Sequence, residues 1–520
     1  MAPGTGATLP ALPAPYRGDL VTDPVAVLAW AGASGPFWHP PRAVLRPSDT
    51  ADVALVVSWA DREGVSLVPR GAGTGMPGGN VGPEVVLDLS RLTGSDPDPD
   101  PAALRLGAGV TGATARDLAR GMNRDLPALP SSARWCTVGG MVACNAAGAR
   151  SLRYGAARRW TAELTLVRAD GTIDTLRRGE PAPDPWAALT AELRSTLPAP
   201  LPWPRVRKNS SGYALDALQA SGDALDLVVG SEGTLGVVTE VVLETRAIPA
   251  TRAVLLLGIP DRRTLPQVVA PLRTDPRVQA CEYFGRRLVD LGELESHPRL
   301  QGVHCPDGLV LVELAGTRDA VEDGVDLLVG SAPAGCVVAQ DDADMEALWE
   351  IRHAANPVLA RALRAGRRST QFIEDCVVPP EALPAFLEGL DAILDRHSTE
   401  AVVFGHVADG NLHVNPLVDL HAPRWRARVA DILDDTVDLV ASLGGTLSGE
   451  HGDGRLRTPF LHRIFAPVVL DAFGGVKERL DPRGTLNPGV VVPVAGVEPL
   501  AGLGDAPGFR RGTQGPERAR

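Results

Sequence analysis

The sequence predicts an α+β fold built from two or three domains, and three observations carry this. The chain has 520 residues, more than one ordinary hydrophobic core organises. Strand-like runs and helical runs follow one another in mixed order, with no repeat at a fixed period. Hydrophobic residues make up 44% and charged residues 22%, the balance of a globular chain rather than a disordered one.

Taken in order, residues 1–39 read as a tail and lead-in whose first residues, rich in Pro and Ala, are expected to be loose and dispensable. Asp49 to Ala60 offers a capping residue and then helical spacing, followed by a strand over Val65 to Pro69. Val85 to Leu89 and Leu104 to Leu106 are further strands, Thr114 to Arg120 is a helix, and the Asp-Pro run at 96–101 is a solvated loop. Glu163 to Val167 and Thr172 to Asp174 form a hairpin around Asp170-Gly171. Residues 179–204 are Pro-rich and polar and are expected as a peripheral insertion; Leu227 to Gly230 and Leu235 to Leu243 read as strands. The pattern changes near Ile248-Pro249, which divides a domain over 40–249 from a second α+β layer over 250–455. There, strands such as Ala253 to Leu257 and Leu309 to Leu314 alternate with helices over 318–330 and 380–397. Residues 456–493 form a C-terminal segment and 494–520 a loose tail.

A formal net charge of -12 argues against a nucleic-acid partner. Six cysteines without any C-x-x-C pair give neither a disulfide framework nor an iron–sulfur motif, and they suit a reducing compartment. No basic start precedes an apolar run, and no stretch of about 18 apolar residues occurs. The expectation is a soluble cytoplasmic protein with no transmembrane segment, associated with a membrane only through a partner.

The segment from Gly405 to Asn415 carries the sharpest chemical signal. Ala401 to Phe404 and Leu412 to Val414 read as strands meeting at Asp409-Gly410, the pattern of a two-residue type I′ turn. That register sets Ala408 opposite Asn411 and His406 opposite His413, with Asn415 pointing the same way. Two imidazoles on a rigid ribbon can share a divalent metal, but a third ligand is needed. Glu450 and His451, adjacent in the glycine-rich stretch 444–454, are the candidates. Two histidines and a carboxylate recur at catalytic zinc sites with an open position, and the same donors suit iron or manganese.

The segment Arg70 to Asn80 leaves a strand and is too rich in glycine for a core element. Gly73, Gly75 and Gly78 satisfy G-x-G-x-x-G, yet Pro77 interrupts and another strand follows, so a Rossmann fingerprint fails on context. Successive glycine N–H groups still form an anion-binding nest suited to a pyrophosphate. Pro130 to Gly148 and Gly230 to Thr239 are two more small-residue loops that let backbone approach a flat, phosphate-bearing ligand.

These three segments, in this order and spacing, resemble the FAD-binding domain of the vanillyl-alcohol oxidase and p-cresol methylhydroxylase superfamily. The histidine hairpin, the Gly-Glu-His-Gly run at 449–452 and Leu486-Asn487-Pro488-Gly489 resemble its D-lactate, glycolate and D-2-hydroxyglutarate dehydrogenase branch. Residues 207–216 and 372–380 resemble the bacterial FAD-linked proteins that carry a fused iron–sulfur half, which is absent here. The resemblance implies a two-part FAD-binding domain, a substrate cap and a C-terminal segment, 456–493, that returns to the FAD domain. It implies FAD on Arg70, Gly71, Ala72, Gly73, Thr74, Gly75, Gly78, Gly79, Asn80, Pro130, Ser131, Thr137, Gly139, Gly140, Asn145, Gly148, Glu232, Gly236, Val237 and Asn487. The Gly-rich loop 70–80 lacks the histidine through which some relatives bind flavin covalently, so FAD is expected to be non-covalent.

By the same resemblance the metal on His406, His413 and Glu450 is zinc and Arg352 binds the substrate carboxylate; His451, an imidazole adjacent to a metal ligand, is the expected general base, with a further ligand or supporting role as its alternative, and Asn415, facing the same side as both histidines, is the expected hydrogen-bonding partner. A lysine used by the other subgroup corresponds to Ile373, and Arg367 or Arg368 is the candidate substitute. The implied activity is FAD-dependent oxidation of a D-2-hydroxy acid to the 2-oxo acid. Electrons then pass to a separate acceptor, an iron–sulfur protein or a quinone-linked carrier; a homodimer is left open. Two other readings are kept, a non-catalytic FAD-binding subunit of a larger complex and a metal-dependent hydrolase, which leaves the glycine-rich loops unused.

Overall fold

The computed structural model describes residues 9–355, 359, 367–496 and 500–504, and three sheets organise it. The first has the spatial order Asp19–Val21, Ala43–Arg46, Val85–Asp88, Leu67–Arg70, with the last three parallel. The helix Thr50–Glu63 makes the crossover. The Asp49 carboxylate starts it by accepting the Asp52 N–H at 2.9 Å. Gly64 ends it at φ 66°, a left-handed cap that glycine adopts without strain. Val53, Val56, Val57 and Ala60 seal its apolar face onto Leu45, Leu67, Val85 and Leu87.

The second sheet is antiparallel, in the order Ser95–Asp96, Ala103–Gly107, Val237–Glu244, Thr161–Val167, Ile173–Arg177. Alternation along its strands sends Leu104, Leu106, Leu164, Leu166, Val241 and Leu243 into one core. Residues 179–204, expected at the periphery, hold the helix Trp186–Thr196, whose Trp186, Leu189 and Leu193 enter that core. The buried Trp186 indole donates to Asp174 at 2.7 Å. Leu227 to Gly230, read as a strand, instead begins inside a turn of helix, Leu225–Val228; a short apolar run is ambiguous between the two. The C-terminal helix Pro467–Leu480 returns to the same core through Val469, Phe473, Val476 and Leu480. Leu486 then bridges to Leu67 of the first sheet. In the stretch expected to be a loose tail, Leu503 is buried and bridges to Phe37.

The third sheet has eight strands. Its main path is Cys336–Ala339, Thr251–Ile259, Gly308–Gly316, Val278–Gly285, Glu400–Gly405, Asn411–Asp419, Arg367–Ser369. Both faces are covered, which is why its strands read as continuous apolar runs. Leu255, Tyr283 and Val312 lie in one cluster with the helices Leu265–Thr274, Leu383–Arg396 and Trp425–Ser442. Leu256, Phe284 and Leu311 lie in another with the helix Asp342–His353. Arg150, just before the short helix Ser151–Tyr154, reaches the third sheet by a two-pronged pair to Glu313, with both N–O distances 3.0 Å. Among the described residues, no helix is long and apolar enough to cross a membrane.

Candidate active site

A cavity of about 1770 Å³ lies between the glycine-rich loops and the third sheet. At one end the strand Leu67–Arg70 runs into residues 71–75. Among the described residues, the N–H groups of Gly71 to Gly75 donate to no protein acceptor, so a row of backbone donors is left for a ligand. The Arg70 guanidinium braces this loop from behind, donating to the carbonyls of Trp30 (3.3 Å), Asn80 (3.1 Å) and Gly32 (2.8 Å).

His406, His413, Glu450 and His451 line the other end. The hairpin differs from the sequence expectation. Gly405 at φ 148° ends the first strand, a 3-10 turn spans Val407–Asp409, and Gly410 at φ 75° leads into the second strand. The register sets Phe404, not His406, opposite His413. A side chain on Gly405 would meet the Asn411 carbonyl at 2.7 Å, so the reversal at this point admits only glycine. The two imidazoles nonetheless converge, with ring centroids 5.2 Å apart.

Each imidazole is oriented from behind through Nδ1. His406 Nδ1 donates to Glu282, His413 Nδ1 to the Glu374 carbonyl at 2.8 Å and His451 Nδ1 to the Glu374 carboxylate at 2.7 Å. These partners assign the proton to Nδ1 and leave each Nε2 with a free lone pair. The three Nε2 atoms surround one oxygen, Glu450 Oε1, at 3.1, 3.4 and 3.5 Å. Such a group facing a carboxylate oxygen in a buried pocket is satisfied by a proton on one nitrogen, as in the His406–Glu450 hydrogen bond, or by a metal ion among them. The ligand atoms of His406, His413 and Glu450 all lie within 4.8 Å of one another, and Glu374, His413 and His451 meet the same distance. In the first set both imidazoles approach the same carboxylate oxygen through Nε2, His406 at hydrogen-bond distance, whereas the Nδ1 atoms of His413 and His451 are bonded to the Glu374 carbonyl and carboxylate.

The other Glu450 oxygen takes Lys208 Nζ at 2.6 Å. Burial alone would raise the Glu450 carboxyl, but Lys208 and then His406 outweigh it and hold it well below the usual range. Burial likewise opposes protonation of His451, yet with no cation on Glu450 the carboxylates of Glu374 and Asp375 outweigh it and push His451 up to about 9; a divalent cation held beside it would oppose that charge and favour the neutral ring with Nε2 open. Arg352, from the helix Asp342–His353, donates Nε to Glu282 at 2.6 Å and lies over the Phe404 ring, 4.8 Å from its centroid. Among the described residues its terminal amines have no acceptor, and they line the cavity beside Asn415. Arg367 pairs instead with Glu400 at 2.6 Å, and neither it nor Arg368 lines the cavity.

Comparison with known proteins finds the FAD binding domain over residues 41–177 and the C-terminal domain of FAD linked oxidases over 248–491. The chain is 31% identical to a D-2-hydroxyglutarate dehydrogenase of Xanthomonas citri pv. viticola, over 87% of this chain and 89% of that one. The chain belongs to the FAD-linked oxidases. This FAD-linked oxidase is also 29% identical to a D-lactate dehydrogenase of Archaeoglobus fulgidus, over 86% and 91% of the two chains. Its fold matches p-cresol methylhydroxylase with substrate bound, at a TM-score of 0.68 and 14% identity over 92% and 95% of the chains.

The loops of the FAD-linked oxidase fit the cofactor its first domain is built to hold. The free N–H row suits a pyrophosphate, and the cavity exceeds the roughly 300–1,000 Å³ of ordinary small-molecule sites. Of the expected cofactor residues, all line the cavity except Gly78, Asn145 and Asn487. These three act behind the wall. Gly78 accepts from Arg455 at 3.0 Å, and Asn145 accepts the Arg158 N–H at 3.0 Å. Asn487 donates to the carbonyls of Gly79 and Glu232, both at 2.8 Å. The Glu232 carboxylate accepts the N–H of Asp453 at 2.6 Å and of Gly454 at 3.1 Å.

Sequence reasoning did not assign Glu282, Lys208, Glu374 or Asp375. The fully buried Asp375 accepts the N–H of Glu450 at 3.0 Å and of His451 at 2.9 Å, and Asn411 Nδ2 at 3.0 Å, thereby fixing the loop against the hairpin. Lys208, Glu374 and Asp375 lie in runs singled out only by resemblance; Glu282 lies 124 positions from His406, where no local pattern reaches it.

Proposed function

We propose that this chain is a dehydrogenase that oxidises a D-2-hydroxy acid, of the D-lactate, glycolate or D-2-hydroxyglutarate type, to the 2-oxo acid. One observation carries the reading: the nest of free backbone donors and the three converging Nε2 atoms share a single cavity. When bound, FAD supplies the hydride acceptor and a divalent metal, zinc by family resemblance, supplies a Lewis acid for the substrate hydroxyl. His406, His413 and Glu450 are the residues that would hold the metal, and the loops at 70–80, 130–148 and 232–237 would hold FAD non-covalently. The free amines of Arg352 take the substrate carboxylate as a fork. Asn415 donates a hydrogen bond beside it. His451 Nε2 takes the hydroxyl proton, and the Glu374 carboxylate on Nδ1 stabilises the resulting imidazolium. Electrons leave to a separate acceptor, an iron–sulfur protein or quinone-linked carrier.

The test is anaerobic. Purified protein should be yellow, contain one divalent metal per chain, and bleach on addition of a D-hydroxy acid but not its L-enantiomer. A colourless preparation, or a flavin that no hydroxy acid bleaches, overturns the reading.

A further inference from the structure

Glu282 is fully buried and lies between two groups that the proposed function assigns to different tasks. One oxygen, Oε2, accepts Arg352 Nε at 2.6 Å. The other, Oε1, accepts His406 Nδ1. The backbone makes this sharing possible. Glu282 lies on Val278–Gly285, which pairs with Glu400–Gly405 at Tyr283–Gly405 and Phe284–Phe404, immediately before His406. Phe404 in turn supports the Arg352 guanidinium.

We infer that Glu282 is a positioning residue that ties metal binding to substrate-carboxylate binding through one shared side chain. The inference rests on the reading of His406 as a metal ligand and Arg352 as the carboxylate fork. A carboxylate accepts from both donors at once, whereas a glutamine presents one acceptor and one donor. In Glu282→Gln, then, an amide N–H faces either the His406 Nδ1–H or the Arg352 Nε–H. One of those side chains must turn away, and the Phe404 ring, which meets Arg352 on one side and the metal candidate His413 on the other, carries the disturbance between the two sites. Geometry is also separable from charge: Glu282→Asp keeps the carboxylate but withdraws it by one methylene, out of reach of both donors together.

The experiment uses flavin-loaded protein stripped of metal. Zinc affinity is measured by competition with a chromophoric chelator. Pyruvate, a 2-oxo acid that cannot donate a hydride, is titrated separately by calorimetry without metal. Glu282→Gln and Glu282→Asp are each expected to weaken zinc by about tenfold or more, the range for loss of a histidine's supporting carboxylate, and to weaken pyruvate by a similar factor. Arg352→Met should weaken pyruvate without weakening zinc. Full zinc and pyruvate affinity in Glu282→Gln, loss of only one of the two, or wild-type behaviour in Glu282→Asp overturns the inference. Wild-type protein that takes no zinc overturns the metal reading and the coupling with it.

Discussion

His451 draws its chemistry from the acids behind it. Glu374 takes its Nδ1 proton, Asp375 takes its backbone N–H, and the ring is left with one open nitrogen. His451→Ala is expected to lower the rate of flavin bleaching by hydroxy acid by about 10²–10⁴-fold, the usual contribution of a positioned base, with flavin and metal content unchanged; stopped-flow absorbance and metal analysis check this. Glu232 makes a different prediction. Burial first, and then the neighbouring Asp453 carboxylate, push its carboxyl up to about 8 from an ordinary 4.5. Between those values the folded chain holds a proton that the unfolded chain has released, so stability falls as pH rises from about 4.5 through 8. The slope from this one group reaches at most about 1.4 kcal/mol per pH unit. In Glu232→Gln the side-chain oxygen still accepts the Asp453 and Gly454 N–H groups, so unfolding temperature over that range should vary less with pH than in the wild type. An unchanged slope counts against a neutral Glu232. At this scale the sequence exposed what adjacency exposes: Glu450 beside His451, and His406 near His413. It hid every partner that arrives from a distant strand.

Among the elements, the hairpin shows how a local signal can be right about a turn and wrong about its length. Asp409-Gly410 does reverse the chain, with Gly410 left-handed as such a turn requires. The error came from Gly405. Its φ of 148° ends the ladder early, at a point where the Asn411 carbonyl leaves no room for a β-carbon, so His406 leaves the strand and stands at the head of a 3-10 turn. The helix Val138–Ala143 shows the same dependence on close approach. Gly139 donates its N–H to the Ala108 carbonyl at 2.9 Å, and a β-carbon there would lie 2.6 Å from Ala108 Cβ. Gly139→Ala is therefore expected to cost about 1–3 kcal/mol and to lower flavin content. Gly121→Ala, at the end of the helix Gly112–Gly121 with nothing within 4 Å, should be neutral or slightly stabilising. Equal unfolding midpoints for the two variants would show that the contact at Ala108 yields.

For the whole molecule, the metal and the flavin bear on stability in separable ways. The metal candidates come from the hairpin and from the loop that Asp375 ties to it, so an ion there holds together parts that the sheet alone does not. A ligand at about 100 times its dissociation constant adds about 2.7 kcal/mol to folded stability. Removing metal with a chelator should therefore lower the unfolding temperature by a few degrees, with recovery on adding zinc and no loss of flavin colour. An unfolding temperature indifferent to chelator and zinc would speak against the site. The large-scale arrangement was legible because strand and helix patterns and three glycine-rich loops are local properties. The inward turn of the helix Trp186–Thr196 was missed although Trp186, Leu189 and Leu193 stand at helical spacing, because three apolar residues flanked by prolines make a pattern too short to outweigh the polar composition around it.

The braces around the flavin loops have a further consequence, for the order in which the protein is made. Gly79 and Glu232 are held by Asn487, and Glu232 also by the backbone of residues 453 and 454. A ribosome that has delivered all three glycine-rich loops has not yet delivered the parts that lock them. A nascent chain ending before residue 453 has the Arg70 brace but lacks those that hold Gly79 and Glu232, so full flavin retention is expected only once residues 453–487 are made.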